Sequence, residues 1–158
     1  MRKIVIALFA GIWIAASALA QDKSTDLAIV VNPACSLDNV SAADLTAIFK
    51  AQKAKNPNGV KYAIAVREPG SPERTAALKS IYNMTDADYE KFFLQLTFAG
   101  TIPAAPQALT SGAAVCQYVG ATPGAISFVR ASEATPAVKV VKVDGKSPGD
   151  AGYPIKIQ

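Results

Sequence analysis

Residues 60–74 read Val60-Lys61-Tyr62-Ala63-Ile64-Ala65-Val66-Arg67-Glu68-Pro69-Gly70-Ser71-Pro72-Glu73-Arg74. The first half alternates, with Tyr62, Ile64 and Val66 on one side, which predicts a strand. Pro69-Gly70 turns the chain, Ser71 fits a helix N-cap, and Pro72 fits the first helical position, where its missing N–H costs nothing. Ala76, Ala77, Leu78, Ile81 and Tyr82 then continue as the apolar side of a helix. On the N-terminal side, Leu27–Val31 is apolar, rich in β-branched residues and stopped by Asn32-Pro33, as a buried strand would be. Ser41, three residues before Asp44, opens a helix with Leu45, Ile48 and Phe49 on one face, and Asn56-Pro57-Asn58-Gly59 closes that unit. Strand, helix and strand within about 40 residues predict a βαβ unit, hence an α/β class with a mostly parallel sheet flanked by helices on both faces.

Toward the C-terminus, Thr85 and Asp88 form a second capping box before Tyr89, Phe92, Phe93 and Leu96, whose spacing marks a core face. Residues 100–106 hold two prolines and read as a loop. Ser111 caps a helix over 113–119, with Gly120 expected in the left-handed position after it. Pro123-Gly124 turns into a strand over 125–129, residues 138–143 form another before Asp144-Gly145, and residues 153–157 suit an edge strand.

Before this unit, Arg2 and Lys3 precede an apolar run over 4–18 and the small residues of Ala18-Leu19-Ala20. That pattern predicts an export signal over 1–20 cleaved before Gln21, a periplasmic location, and one domain over 21–158. The run is shorter than the roughly 20 residues of a spanning helix. Without Arg2 and Lys3 the formal charge of +4 becomes +2, too little and too scattered for a nucleic-acid surface. Lys50, Lys53, Lys55 and Lys61 flank a turn as a solvated face. Cys35 and Cys116 are the only thiols, and export to an oxidising compartment makes a disulfide between them the expectation, with two buried free thiols as the alternative. Histidine is absent, which removes the usual base near neutral pH and the commonest metal ligand, so the expectation is a protein that is not an enzyme and needs no metal or cofactor.

A strand that runs through Gly70-Ser71 into a helix start is a device for holding an anion, because the first helical N–H groups lack intrahelical acceptors. Gly70 permits close approach, the Ser71 hydroxyl donates, and Arg67 and Arg74 supply charged forks; these four are the candidate ligand-binding residues.

The order of motifs resembles the phosphate-binding proteins of ABC importers. Their Arg-x-Asp-Gly-Ser-Gly-Thr segment is similar to residues 67–73, placing its Arg, Gly and Ser on Arg67, Gly70 and Ser71. Ile29-Val30-Val31-Asn32, Leu45-Thr46-Ala47-Ile48-Phe49 and Thr122-Pro123-Gly124-Ala125-Ile126-Ser127-Phe128-Val129 resemble other segments of that family in the same order. Pro69 stands where the family has Asp, and Pro72-Glu73 where it has Gly-Thr. The resemblance covers roughly residues 27–130 and implies a single lobe, the second, of a two-lobed periplasmic binding protein. It implies a solute-binding module for phosphate or a related oxyanion, held weakly by one lobe, with a protein partner supplying the second lobe or a membrane complex. The other reading is an interaction protein that binds no ligand and docks a membrane or signalling complex through the lobe's former cleft surface.

Overall fold

The computed structural model describes residues 25–158; the expected export signal and its cleavage point lie outside them. Strand β1, Leu27–Val31, is buried at every position, as a strand covered on both faces must be. Five further strands join it: β2 (Asn39–Val40), β3 (Ala63–Arg67), β4 (Gln107–Leu109), β5 (Ala125–Arg130) and β6 (Lys139–Val143). They form one sheet in the order β2-β6-β1-β5-β3-β4. The helices are α1 (Ala42–Phe49), α2 (Pro72–Ala77), α3 (Asp86–Phe98) and α4 (Gly112–Ala121). Ser41, Ser71, Thr85 and Ser111 each accept a hydrogen bond from a first-turn N–H, the cap expected of them.

The α/β class holds, but the sheet is mixed. Strand β3 runs parallel to β4 and β5, and β2 parallel to β6, whereas β1 is antiparallel to both of its neighbours. The two strands of the expected βαβ unit are therefore opposed, with β5 between them. Residues of β1 alternate between two cores. Leu27, Ile29 and Val31 pack with Phe49, Tyr82, Phe93 and Phe128 under α1, α2 and α3, while Ala28 and Val30 pack with Val115 and Val119 of α4.

That alternation overturns the expected disulfide. Cys35 belongs to the first core and Cys116 to the second, so the full thickness of the sheet separates them, and both are buried free thiols. The Cys116 thiol lies 3.5 Å from the Glu133 carbonyl and the Cys35 sulfur 3.5 Å from the Asn56 amide nitrogen.

Three local readings change as well. Helix α2 passes at Leu78 into a wider π-helical turn, Leu78–Tyr82, which ends at Asn83 in the left-handed region. Gly120 lies inside α4, where a methyl group would meet the Ala137 carbonyl, and the left-handed glycine is Gly124. The tail forms one antiparallel bridge, Asp26 with Lys156, tied by Leu27 N–H to the Ile155 carbonyl at 3.0 Å and Tyr153 Oη to the Leu27 carbonyl at 2.9 Å.

Candidate functional site

Because β3, β4 and β5 are parallel, their last residues meet at one edge of the sheet. Open α/β sheets gather ligands outside the carboxyl ends of their strands. Here that edge presents Arg67 from β3, Thr110 just after β4, and Arg130 from β5. Gly70 and Ser71 follow β3, and Gly70 adopts φ +85° with nothing within 4 Å of where a Cβ would stand.

Of the four expected ligand-binding residues, Arg67 ends β3 and Gly70 and Ser71 stand in the turn that follows it, whereas the Arg74 guanidinium is directed to carboxylates of α3. The Arg67 guanidinium donates from Nη2 to the Thr110 carbonyl at 3.2 Å, and its Nε is buried without a hydrogen-bond partner. Its side chain is 11% exposed, so it faces the edge rather than open solvent. Ser71 spends its hydroxyl locally, donating to the Glu68 carbonyl at 2.9 Å and accepting from Arg74 N–H at 3.2 Å. Pro72 has no N–H, so the start of α2 is largely satisfied by its own chain.

Arg74 leads away toward α3. Its Nε donates to Asp86 and its Nη2 to Glu90, each at 2.8 Å, its Nη1 reaches the Arg67 carbonyl at 3.4 Å, and its guanidinium lies over the Tyr89 ring. Burial pushes the Tyr89 hydroxyl up to about 12, with the Arg74 charge pulling the other way. Arg74 is thus a structural cation whose charge is spoken for by two carboxylates.

The residue that meets Arg67 is Glu73. Its side chain is 6% exposed, its Oε2 stands 3.9 Å from Arg67 Nη1, and its Oε1 accepts from Arg130 Nε at 3.0 Å and Nη2 at 2.9 Å. A carboxylate from the first turn of α2 therefore lies between guanidiniums from two adjacent parallel strands. Arg130 is absent from the residues expected at the site; the one sequence signal for it is its position directly after the strand predicted over 125–129, which the structure extends to include it. Thr110 likewise contributes a backbone carbonyl, which its residue type does not announce.

A shallow depression of about 280 Å³ lies beside Gly70 and Pro72, lined also by Thr75, Lys79, Lys156 and Gln158, and neither Arg67 nor Arg74 borders it. Among the described residues no group of His, Cys, Asp and Glu is arranged to hold a metal ion, and no helix is long and apolar enough to cross a membrane.

No protein-family model matches the chain, and no curated protein matches it. Solved structures do. An ABC-type phosphate transport receptor from Vibrio cholerae superposes with a TM-score of 0.61 at 22% identity, over 78% of this chain and 48% of its own. A putative phosphate ABC transporter substrate-binding protein with bound phosphate from Clostridium perfringens gives 0.65 at 14% identity, over 84% and 52%. PstS from Borrelia burgdorferi gives 0.65 at 14% identity, over 85% and 55%. The chain spans about half the length of the solved structures it matches. Its fold is that of a single lobe of a phosphate-type substrate-binding protein, as its motifs imply.

Proposed function

We propose that the protein is an exported, periplasmic solute-binding-type module, a binding protein rather than an enzyme, which engages phosphate or a related oxyanion weakly at the carboxyl edge of β3 and β5. Arg67, Gly70 and Ser71 carry the site, with Arg130 in the place expected for Arg74. One observation carries this reading: Arg67 and Arg130, from neighbouring parallel strands, converge on a single carboxylate, so the edge already recognises an oxyanion group. The apolar run and Ala18-Leu19-Ala20 support export, and the three phosphate-receptor folds support the class of ligand.

One lobe leaves a bound anion open to water on its far side, so affinity on the order of 1 mM, about −4 kcal/mol, is expected. Calorimetric titration of the mature chain with phosphate, sulfate and acetate, beside Arg67→Ala, tests this. A single weak site lost in Arg67→Ala supports it; absence of binding by any of the three anions refutes it.

A second reading is favoured by the same carboxylate and by the commitment of Arg74. If Glu73 permanently satisfies Arg67 and Arg130, the lobe docks onto a membrane or signalling complex through this edge and carries no small ligand. A partner recovered in stoichiometric amount from the native envelope, together with no anion binding by the isolated chain, would select it.

A further inference from the structure

We propose that Glu73 is a tethered stand-in for the ligand: its carboxylate holds the place between Arg67 and Arg130, and a free tetrahedral oxyanion enters only by displacing it. This rests on the reading of the Arg67 edge as an oxyanion site and deepens it by naming what regulates that site.

Three observations carry it. First, Glu73 is buried in the first turn of a short helix between exposed Pro72 and buried Arg74, and it is buried against the two guanidiniums rather than turned out to water. Second, the match is incomplete on the Arg67 side. Glu73 Oε1 makes the hydrogen-bonded contacts to Arg130, whereas Oε2 stands 3.9 Å from Arg67 Nη1, beyond hydrogen-bond reach, and Arg67 Nε has no acceptor. A planar carboxylate offers two oxygens; a phosphate offers four, enough to meet Arg130 and the unspent Arg67 donors together. Third, the stand-in arrives on a side chain whose backbone is fixed between the Ser71 cap and the Arg74 anchor, so it is present at a high effective concentration. A free anion of modest affinity competes poorly against a partner of that kind.

The occupant expected once Glu73 is removed is inorganic phosphate or another small tetrahedral oxyanion, not a large organic ligand, since the distances between the two guanidiniums and one carboxylate leave room for one small group.

The experiment is calorimetric titration of inorganic phosphate into the native mature chain, Glu73→Gln, Glu73→Thr and Arg67→Ala/Glu73→Thr, with circular dichroism establishing that each is folded. Glu73→Gln keeps the side chain's shape and guards against loss of packing. The expected result is phosphate binding at least about tenfold tighter in both single variants than in the native chain, and loss of that gain in the double variant. If the native chain binds phosphate in an Arg67-dependent way and the folded Glu73 variants bind no tighter, the stand-in is wrong and the oxyanion site remains. If no folded variant binds phosphate, or the gain persists without Arg67, the site itself is wrong and the stand-in falls with it.

Discussion

The Arg74 guanidinium carbon lies 4.4 Å from the centre of the Tyr89 ring. That contact, with the ion pairs to Asp86 and Glu90, clamps the first turn of α2 to the N-terminal part of α3. Removing one partner of a fully buried ion pair costs about 3–5 kcal/mol; here the Asp86 and Glu90 side chains are 47% and 67% exposed, so the loss is smaller. Arg74→Ala is expected to lower stability by about 2 kcal/mol through lost ion pairs and cation–π packing. Urea denaturation reads the loss. Because Arg74 points away from the edge held by Arg67 and Arg130, its removal should not weaken phosphate binding; an Arg74→Ala variant of native stability but weakened anion binding would put Arg74 back in the site.

The two thiols make a second prediction. Cys35 and Cys116 sit in cores on opposite faces of the sheet, so oxidising conditions cannot join them without unfolding the chain. A chain purified without reductant should show two thiols to a colorimetric reagent in denaturant and slow labelling of both when native, since each is buried. Reductant should leave the thermal midpoint unchanged. A reductant-dependent fall of several degrees would mean that a bridge exists.

Alkaline pH supplies a third. Burial pushes the hydroxyls of Tyr62 and Tyr89 up to about 12, and those of Tyr82 and Tyr153 upward as well. An unfolded tyrosine releases its proton near pH 10, so between about 10 and 12 the unfolded chain holds fewer protons than the native one. The stabilisation is therefore fully present below pH 10 and lost as pH climbs toward 12. Urea midpoints should fall across that window, and Tyr89→Phe should make the fall shallower. A midpoint that is flat to pH 12 would contradict the burial of these rings.

The sequence made the helices easiest to read, because Ser41, Ser71, Thr85 and Ser111 announce their starts through local chemistry and the structure seats each as a cap. Strand direction was not legible: Leu27–Val31 has the same apolar run whether it lies parallel or antiparallel, and only its pairing with β5 and β6 decides. The three-residue β4 had no period to detect and borrows its register from β3. Near the candidate site, the Pro69-Gly70 turn and the Ser71 cap after it were readable from local chemistry. The roles of Arg74 and Arg130 were not, because a guanidinium's partner depends on which helix packs above it: Asp86 and Glu90 claim the first, Glu73 the second.

Two glycines separate conformational strain from steric collision. Gly70 and Gly124 both hold positive φ, +85° and +79°, a region that costs an L-residue roughly 1–2 kcal/mol. Around Gly70 nothing lies within 4 Å of a built Cβ, so Gly70→Ala should lose about 1 kcal/mol and stay folded, with its backbone still at the open edge. At Gly124 the Cβ would stand 2.2 Å from the Lys61 carbonyl oxygen and 3.0 Å from Val60 Cγ1, and the Gly124 carbonyl accepts from Ala63 N–H at 3.0 Å. That turn sets the register of β3 against β5, which in turn brings Arg67 beside Arg130. Gly124→Ala must push the two segments apart, and a loss of about 3 kcal/mol or more is expected, since collision adds to strain. Chemical denaturation of the two variants side by side checks the contrast. Equal losses would show that only backbone conformation matters at both positions, and that the close approach of Gly124 to Lys61 does not hold β3 in place.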